Sequence, residues 1–590
     1  MTTTNLTEHP EPGKPIPTPP DFPVAWERSG DAGLYWERNL FHYPDPMAPL
    51  EFELGVKTFN VHGLNYAAEA YDFPIRFDGR RINGYVYQAI IPVGAPPEAV
   101  IKVMNQLGRL VPGLVDSIQN KAADAQARKY LEKMAPIIAR IEDYWNSELL
   151  PEVREHLSYW ESFDLRGATM PELLAHLEET EVRARRLGEI HFLIDFPFLI
   201  APSMFEDLYR ELFGEENDLN AYRLLQGFDN KTLEADRVLW QLSRAALARP
   251  TVRRVLQERA AADVVPELEQ SVEGQAFLAD LHAYLEEYGQ RSDKFDTIGA
   301  ASWFEDPTPA IKNLKDYVAQ HGRDPEAELA ALAAEREWLV SNARERLKGY
   351  PRPILERFES LLKSAQEATV ISEDHTFWID YRGLYRIRQV LQEFGRRFAG
   401  AGVIEEQNDV FHLTLDELRE TARALPGLDR RQLVRERKAA LERFRAIRPP
   451  RAIGTMPLGE PPDDPMGRAI GRFFGGAPRP QVEPDVLCGN AGSPGTARGP
   501  AKVIRSLSEA EKLRQGDVLV AGTTAPPWTP LFGTAAAVVT DTGGVLSHCA
   551  VVAREYRIPA VVGCGEATAL IQDGQLLEVN GSDGVVRIVS

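Results

Sequence analysis

The stretch "DTGGVLSHCAVVARE", residues 541–555, sets one imidazole behind two glycines and ahead of an apolar helical stripe. His548 is the only histidine after His412. Gly543 and Gly544 let the backbone turn sharply and come close to a ligand. The spacing predicts a helix that begins near Ser547 and His548 and turns Ala550, Val551, Val552 and Ala553 inward. A helix N-terminus offers N–H donors and partial positive charge, which suits a phosphate. An imidazole at such an exposed helix start can attack phosphorus, and those donors would steady the phosphohistidine that results. Taken alone, the pattern is equally compatible with a cap-adjacent histidine in an ordinary strand–turn–helix unit.

The elements that must position this group lie in the last hundred residues. "GPAKVIRSL" and "GDVLVAG" read as strands flanking a short helix with Ser506 and Glu509 as its capping box. "TAAAVVTD", "SHCAVVAREYR" and "PAVVG" read as strand, helix and strand, and "QLLEVNGSDGVVRIVS" as a hairpin around Gly581 and Gly584. Residues 488–590 therefore form a compact α/β module. Before it, residues 449–487 are too rich in proline and glycine to hold either period and read as an extended linker.

The chain has 590 residues, too long for one ordinary domain. Its net charge of −20 argues against nucleic acid or anionic membrane as a main partner. No continuous apolar run is long enough to suggest a membrane span. Cys488, Cys549 and Cys564 offer neither a disulfide framework nor a zinc spacing, so no metal site is expected and a reducing cytoplasm is the simplest location. Residues 1–24 read as a mobile, proline-rich arm and not as a signal peptide. "EFELGVKTFNV" and "RINGYVYQAIIPV" read as strands, with "DGRRING" as the turn between them. From about residue 97 to 448 the pattern is helical, with starts at Thr308–Pro309 and at the Thr414/Glu417 capping box. The expected fold class is thus α+β and multidomain: a large, mainly helical domain over 25–448 with a small β-rich N-terminal part, a linker, and a C-terminal α/β domain.

The string "TDTGGVLSHCAVVAREYRIPAVVG" resembles the swivelling phosphohistidine domain of the phosphoenolpyruvate-utilising enzymes. The resemblance runs from "GSPGTARGPAKVI" through "GDVLVAGTTAPPWTPLF" to "DGQLLEVNGSDGVVRI" and so covers residues 489–590. It implies that His548 carries a phosphoryl group between two distant sites, with Gly543, Gly544 and Ser547 around the phosphate. Leu546 stands where the dikinases have a regulatory threonine. Cys549 stands where alanine, glycine or serine is usual, and reads as a packing residue.

The helical region has its own resemblance. "LLQGFDNKTLEADRVLWQLSR", "YLEEYGQRS", "SWFEDP" and "RQVLQEFGRRFAGAGVIEEQNDVFHLTLDEL" are similar to the substrate domain of rifampin phosphotransferases. They are also similar to the larger subunit of phenylphosphate synthases and related two-component aryl kinases. That resemblance implies a separate ATP-grasp subunit holding Mg²⁺ and ATP, cleavage to AMP and phosphate, and transfer through the histidine to a phenol or hydroxyacetophenone-like hydroxyl. Two other readings remain: a stand-alone phosphotransferase fed by phosphoenolpyruvate, and a ligand-binding relative without chemistry.

Acceptor-site candidates come from "SEDHTFWIDYR". Asp374 and His375 could take the hydroxyl proton, Phe377 and Trp378 could bound an aromatic ring, and Glu373 and Asp380 complete the set. Any one of them also fits a helix whose aromatics are core and whose carboxylates are solvated. Arg291 in "YGQR" could clamp phosphoryl oxygens or serve as an ion-pair partner. Gln290 stands where relatives often have histidine. His191 could line a pocket or be a satisfied core histidine, and His42 and His62, with loop-like neighbourhoods, are minor candidates.

Overall fold

The computed structural model describes residues 11–94, 114–214, 219–292, 294, 297–320, 322, 324–457, 463–476, 483 and 485–589. A four-stranded antiparallel sheet is formed by β1 (Tyr35–Arg38), β2 (Ile75–Ile82), β3 (Tyr85–Pro92) and β4 (Ala452–Gly454), in the order β2-β3-β1-β4. The turn between β2 and β3 is only Asn83–Gly84, both at positive φ, because Ile82 pairs directly with Tyr85. Residues 78–82 of the expected turn are therefore strand.

"EFELGVKTFNV" is not a strand. Phe52–Val61 is a π-helical segment that runs on into the helix His62–Ala70. Its apolar residues alternate enough to suggest a strand, yet they pack against the longest helix, α1 (Met170–Phe213). The two backbones touch: a side chain at Gly63 would overlap the Gly188 carbonyl. α1 begins with a Thr169/Glu172 capping box and ends at Gly214. It has the length and apolar composition to cross a membrane, but 83% of its most apolar window is buried in the protein.

α2 (Lys231–Leu247) packs on α3 (Arg352–His375), and α1 packs on both α3 and α4 (Leu384–Gly400). The last two are joined without a break by a π-helical segment, Thr376–Gly383. The helix Thr308–Ala319 and the Thr414/Glu417 capping box fall where the sequence places them.

The N-terminal arm is less free than expected. Pro15 bridges Thr455, and Phe22 is fully buried beside Tyr85, Tyr87 and Phe444; residues 1–10 lie outside the described part. The expected linker is also structured where it is described. β4 pairs with β1, and α5 (Pro465–Phe474) packs on α1. Asp464 caps α5 by accepting from the Gly467 N–H at 2.7 Å. Met466 and Ala469 supply its buried face.

The C-terminal domain is an eight-stranded sheet: β5 (Val486–Cys488), β6 (Asn490–Ser493), β7 (Thr496–Val503), β8 (Val518–Ala521), β9 (Ala537–Thr540), β10 (Ala560–Val562), β11 (Leu576–Asn580) and β12 (Val585–Ile588). β7, β8, β9 and β10 run parallel, and β8, β9 and β10 are buried throughout, as continuous apolar runs such as "VLVA" and "AVVT" require. β11 and β12 form the expected hairpin. The Ser506/Glu509 capping box does not form: Glu509 accepts from the Arg505 N–H, and the turn Leu507–Lys512 is 3₁₀. One apolar cluster runs from α2 and the helix Thr308–Ala319 into β8, β9 and β10. The C-terminal domain is therefore docked on the helical one, and Asn313 donates to the Pro527 carbonyl at 3.0 Å across the seam.

Candidate functional site

His548 opens α6 (His548–Glu555), and the Ser547 hydroxyl accepts from the Ala550 N–H at 3.5 Å as its N-cap. Gly543 sits at φ +109, a conformation side-chain-bearing residues avoid, and turns the chain out of β9. The histidine is not exposed: it retains 7% of its surface, because docking buries α6's mouth against α2 and α3. Its Nδ1 lies 3.6 Å from Glu373 Oε1, and neither ring nitrogen makes a hydrogen bond.

The glycine loop is occupied by protein. The N–H groups of Gly543, Gly544 and Leu546 donate to the carbonyls of Phe474, Phe473 and Arg472 at 3.1, 3.0 and 2.7 Å. These are the carbonyls at the end of α5, so the negative end of one helix sits in the loop expected to take a phosphate. A Cβ at Gly544 would overlap the Arg472 carbonyl. Arg472 itself pairs with Glu206 at 2.7 Å and Asp207 at 2.6 Å on α1, which fixes α5 in place.

The cavity beside His548 is lined by Phe198, Phe228, Phe473 and Phe474 on its apolar side and by Thr232, Glu373, His375, His191, Asp195 and Asp380 on its polar side. Glu373 accepts from the Thr232 hydroxyl at 2.7 Å. Burial pushes its carboxyl up, but the facing His548 and the Thr232 hydroxyl outweigh that and hold it below its ordinary value. His375 Nδ1 lies 2.9 Å from the Ile371 carbonyl, which can only accept, so Nδ1 carries the proton and Nε2 faces Asp195 at 3.3 Å. Burial lowers the His375 pKa. His191 Nε2 lies 3.4 Å from Asp195 and its Nδ1 lies 3.1 Å from Asp380. Burial opposes its charge, but Asp195 and Asp380 prevail and raise its pKa well above the usual histidine value.

The cavity thus gathers His548, Glu373, His375, Asp380 and His191 from the sequence-derived set, and His42 as well. Burial lowers the His42 pKa to about 4. Other candidates lie elsewhere. Asp374 accepts from the Lys231 N–H at 2.8 Å, and burial raises its pKa to about 6. Phe377 packs on Tyr288, and Trp378 carries the guanidinium groups of Arg154 and Arg382 on its ring. Arg291 is buried between Trp303 and Tyr381 with Nε on the Tyr288 carbonyl. Gln290 bonds the Glu286 carbonyl at 3.2 Å. His62 is helical and pairs with Glu189 at 2.8 Å. Burial raises the Cys549 thiol to about 12, in keeping with a packing role.

Asp195 and Arg554 are among the cavity residues that escaped the sequence reading. Asp195 follows His191 by four residues, so both share one face of α1, and a charge pair inside "HFLIDFPF" was the available signal. Arg554 ends α6 and donates to the Gly492 and Val545 carbonyls at 2.7 and 2.8 Å. Asp380 reaches the cavity because the π-helical segment brings residues five apart onto one face, which a 3.6-residue period does not.

The docked α/β domain presents one buried histidine to a cavity in the helical domain, an arrangement that resembles a phosphohistidine swivel domain resting on its substrate domain. Comparison with known families agrees: residues 513–584 match the mobile domain of PEP-utilising enzymes, and residues 191–373 match the fourth domain of rifampicin phosphotransferase. The chain is 40% identical over 585 residues to chondramide synthase of Chondromyces crocatus, covering 97% of this chain and 14% of that protein. It is 32% identical over 405 residues to an uncharacterised phosphotransferase of Bacillus subtilis, covering 68% and 47%. With a rifampicin phosphotransferase of Streptomyces sviceus it shares 31% over 443 residues, covering 72% and 48%. The chain spans about a seventh of the first of these and about half of the other two.

Proposed function

We propose that this chain is the carrier and acceptor-binding part of a phosphotransferase. His548 takes a phosphoryl group derived from ATP on a separate ATP-grasp protein, where Mg²⁺ offsets the phosphate charge, and passes it to the hydroxyl of a small aromatic compound. AMP and phosphate are the other products. The position of His548 is the observation that carries this reading: both ring nitrogens are unbonded at the wall of a cavity lined by phenylalanines. The names of the two phosphotransferase relatives support the same class of reaction.

On loading, a nitrogen of His548 forms an N–P bond as the donor's P–O bond breaks. On discharge, the acceptor oxygen attacks phosphorus, the N–P bond breaks, and the hydroxyl proton passes to a base. Glu373 and His375 face the cavity and are the bases assigned to that step. Loading requires the domain to leave its docked position, since α5 covers the glycine loop there.

The test is to combine the purified chain with an ATP-grasp partner, ATP and a panel of phenols. AMP release that depends on both the partner and a phenol supports the reading. Conversion of ATP to AMP by this chain alone contradicts it.

A further inference from the structure

The polar wall of the cavity contains an arrangement that phosphoryl transfer through His548 does not use. His191 Nδ1 and Asp380 Oδ1 lie 3.1 Å apart, yet each is buried and makes no hydrogen bond. Asp195 Oδ1 is likewise buried and makes no hydrogen bond, although it lies 3.3 Å from His375 Nε2. One donor atom each from His191, His375 and Asp380 fall within 4.8 Å of one another. Two imidazoles and a carboxylate gathered this closely in a buried wall form a donor set that one cation can share. Bonds of about 2.0–2.2 Å to a shared ion place neighbouring ligands about 3.0–3.5 Å apart.

The surroundings orient these ligands as a metal site would. His375 gives its Nδ1 proton to the Ile371 carbonyl at 2.9 Å, which leaves the Nε2 lone pair facing the cluster. His191 presents Nδ1 to Asp380 while its Nε2 faces Asp195 at 3.4 Å, the carboxylate–histidine pairing that fixes tautomer and ring orientation. Phe198 and Phe59 pack on the two imidazoles and shield them from solvent.

We propose that His375 Nε2, His191 Nδ1 and an Asp380 oxygen bind a divalent first-row transition ion, with Asp195 as the orienting carboxylate. Two nitrogens and a carboxylate suit zinc or manganese better than magnesium or calcium. No metal was expected from the sequence, because the three ligands lie on two distant segments and one is placed by a π-helical turn. With only three protein ligands, the ion keeps coordination positions for water or ligand. It borders the cavity that also holds His548, and can take the hydroxyl oxygen of an acceptor and lower its pKa. That role rests on the transfer reading above; the binding of the ion does not.

The full chain, stripped with a chelator and dialysed, is titrated with Co²⁺ by visible absorption and with Zn²⁺ by calorimetry. The expected result is one equivalent bound, a loss of 100-fold or more in affinity for Asp380→Asn and His375→Ala, and a loss of about 10–100-fold for Asp195→Asn. Circular dichroism of the stripped variants checks folding, and the near-isosteric Asp380→Asn decides if His375→Ala does not fold. His548→Ala is expected to bind the ion as well as the parent chain does. Failure of phosphoryl transfer with retained ion binding leaves this site standing, and transfer without ion uptake removes it. No uptake by the parent chain, or unchanged affinity in Asp380→Asn, overturns the proposal.

Discussion

Glu373 Oε1 stands 3.6 Å from His548 Nδ1, across the seam between the helical domain and the docked α/β domain. The pair joins a carboxylate fixed by the Thr232 hydroxyl to an imidazole that reaches it only when the two domains meet. Under the proposed transfer, this geometry gives the two residues different parts in loading and discharge.

Under the proposed transfer, Glu373→Gln is expected to spare loading of His548 and to slow discharge about 10–100-fold. That matches the loss of one charge-assisted contact, about 1.5–3 kcal/mol. Single-turnover decay of preformed phosphoprotein with acceptor measures it. The contact is also pH-dependent: a carboxyl held below its ordinary value contributes above about pH 4.5 and loses its contribution as pH falls through the lowered pKa.

Gly544→Ala tests the contact between α5 and the glycine loop. The added methyl overlaps the Arg472 carbonyl, so the docked position should lose about 1–3 kcal/mol while each domain stays folded. Fluorescence energy transfer between dyes on α3 and on β12 should fall, and proteolysis around α5 should rise. Unchanged transfer efficiency would show that α5 does not hold the domain.

Arg472→Met leaves the buried Glu206 with Arg210 and Tyr222 but without its partner on α5. Breaking a buried pair from one side costs about 3–5 kcal/mol in a dry site. Arg472 is 14% exposed at its side chain, so a loss near the lower end is expected in urea unfolding.

His176 stacks on Phe163 with ring centroids 3.7 Å apart, and burial, helped by Arg183, lowers its pKa to about 4. The folded state therefore binds fewer protons than the unfolded chain between about pH 6.5 and 4, and stability falls as pH falls through that window. His176→Phe should flatten the decline by up to about 1.4 kcal/mol per pH unit. Urea midpoints between pH 7 and 4 measure the slope.

How much of this the sequence disclosed depends on whether the signal was local. The C-terminal domain was legible because strand, glycine turn, cap and helix follow one another within "AVVTDTGGVLSHCAVVARE". Phe52–Val61 was not: its alternating apolar residues suit a strand, and only the helix it continues into and the Gly63–Gly188 crossing make it helical. α5 was hidden in a proline-rich segment although "DDPMGRAIGRFF" carries a cap, a first-turn proline and an apolar stripe. The exposure expected of His548 depended on a docked neighbour that no local pattern announces. Arg291 and Trp378 read as ligand-binding types, yet their surroundings come from distant segments, and these bury or pair both away from the cavity.

The most direct measurement is peptide mapping of the phosphoryl label. The chain, given the proposed ATP-grasp partner and radiolabelled ATP without acceptor, should accumulate a group stable in base and labile in acid, located within residues 541–555. It should be absent from His548→Ala and discharged by the right phenol. A label on another peptide, or full transfer activity in His548→Ala, would contradict the account.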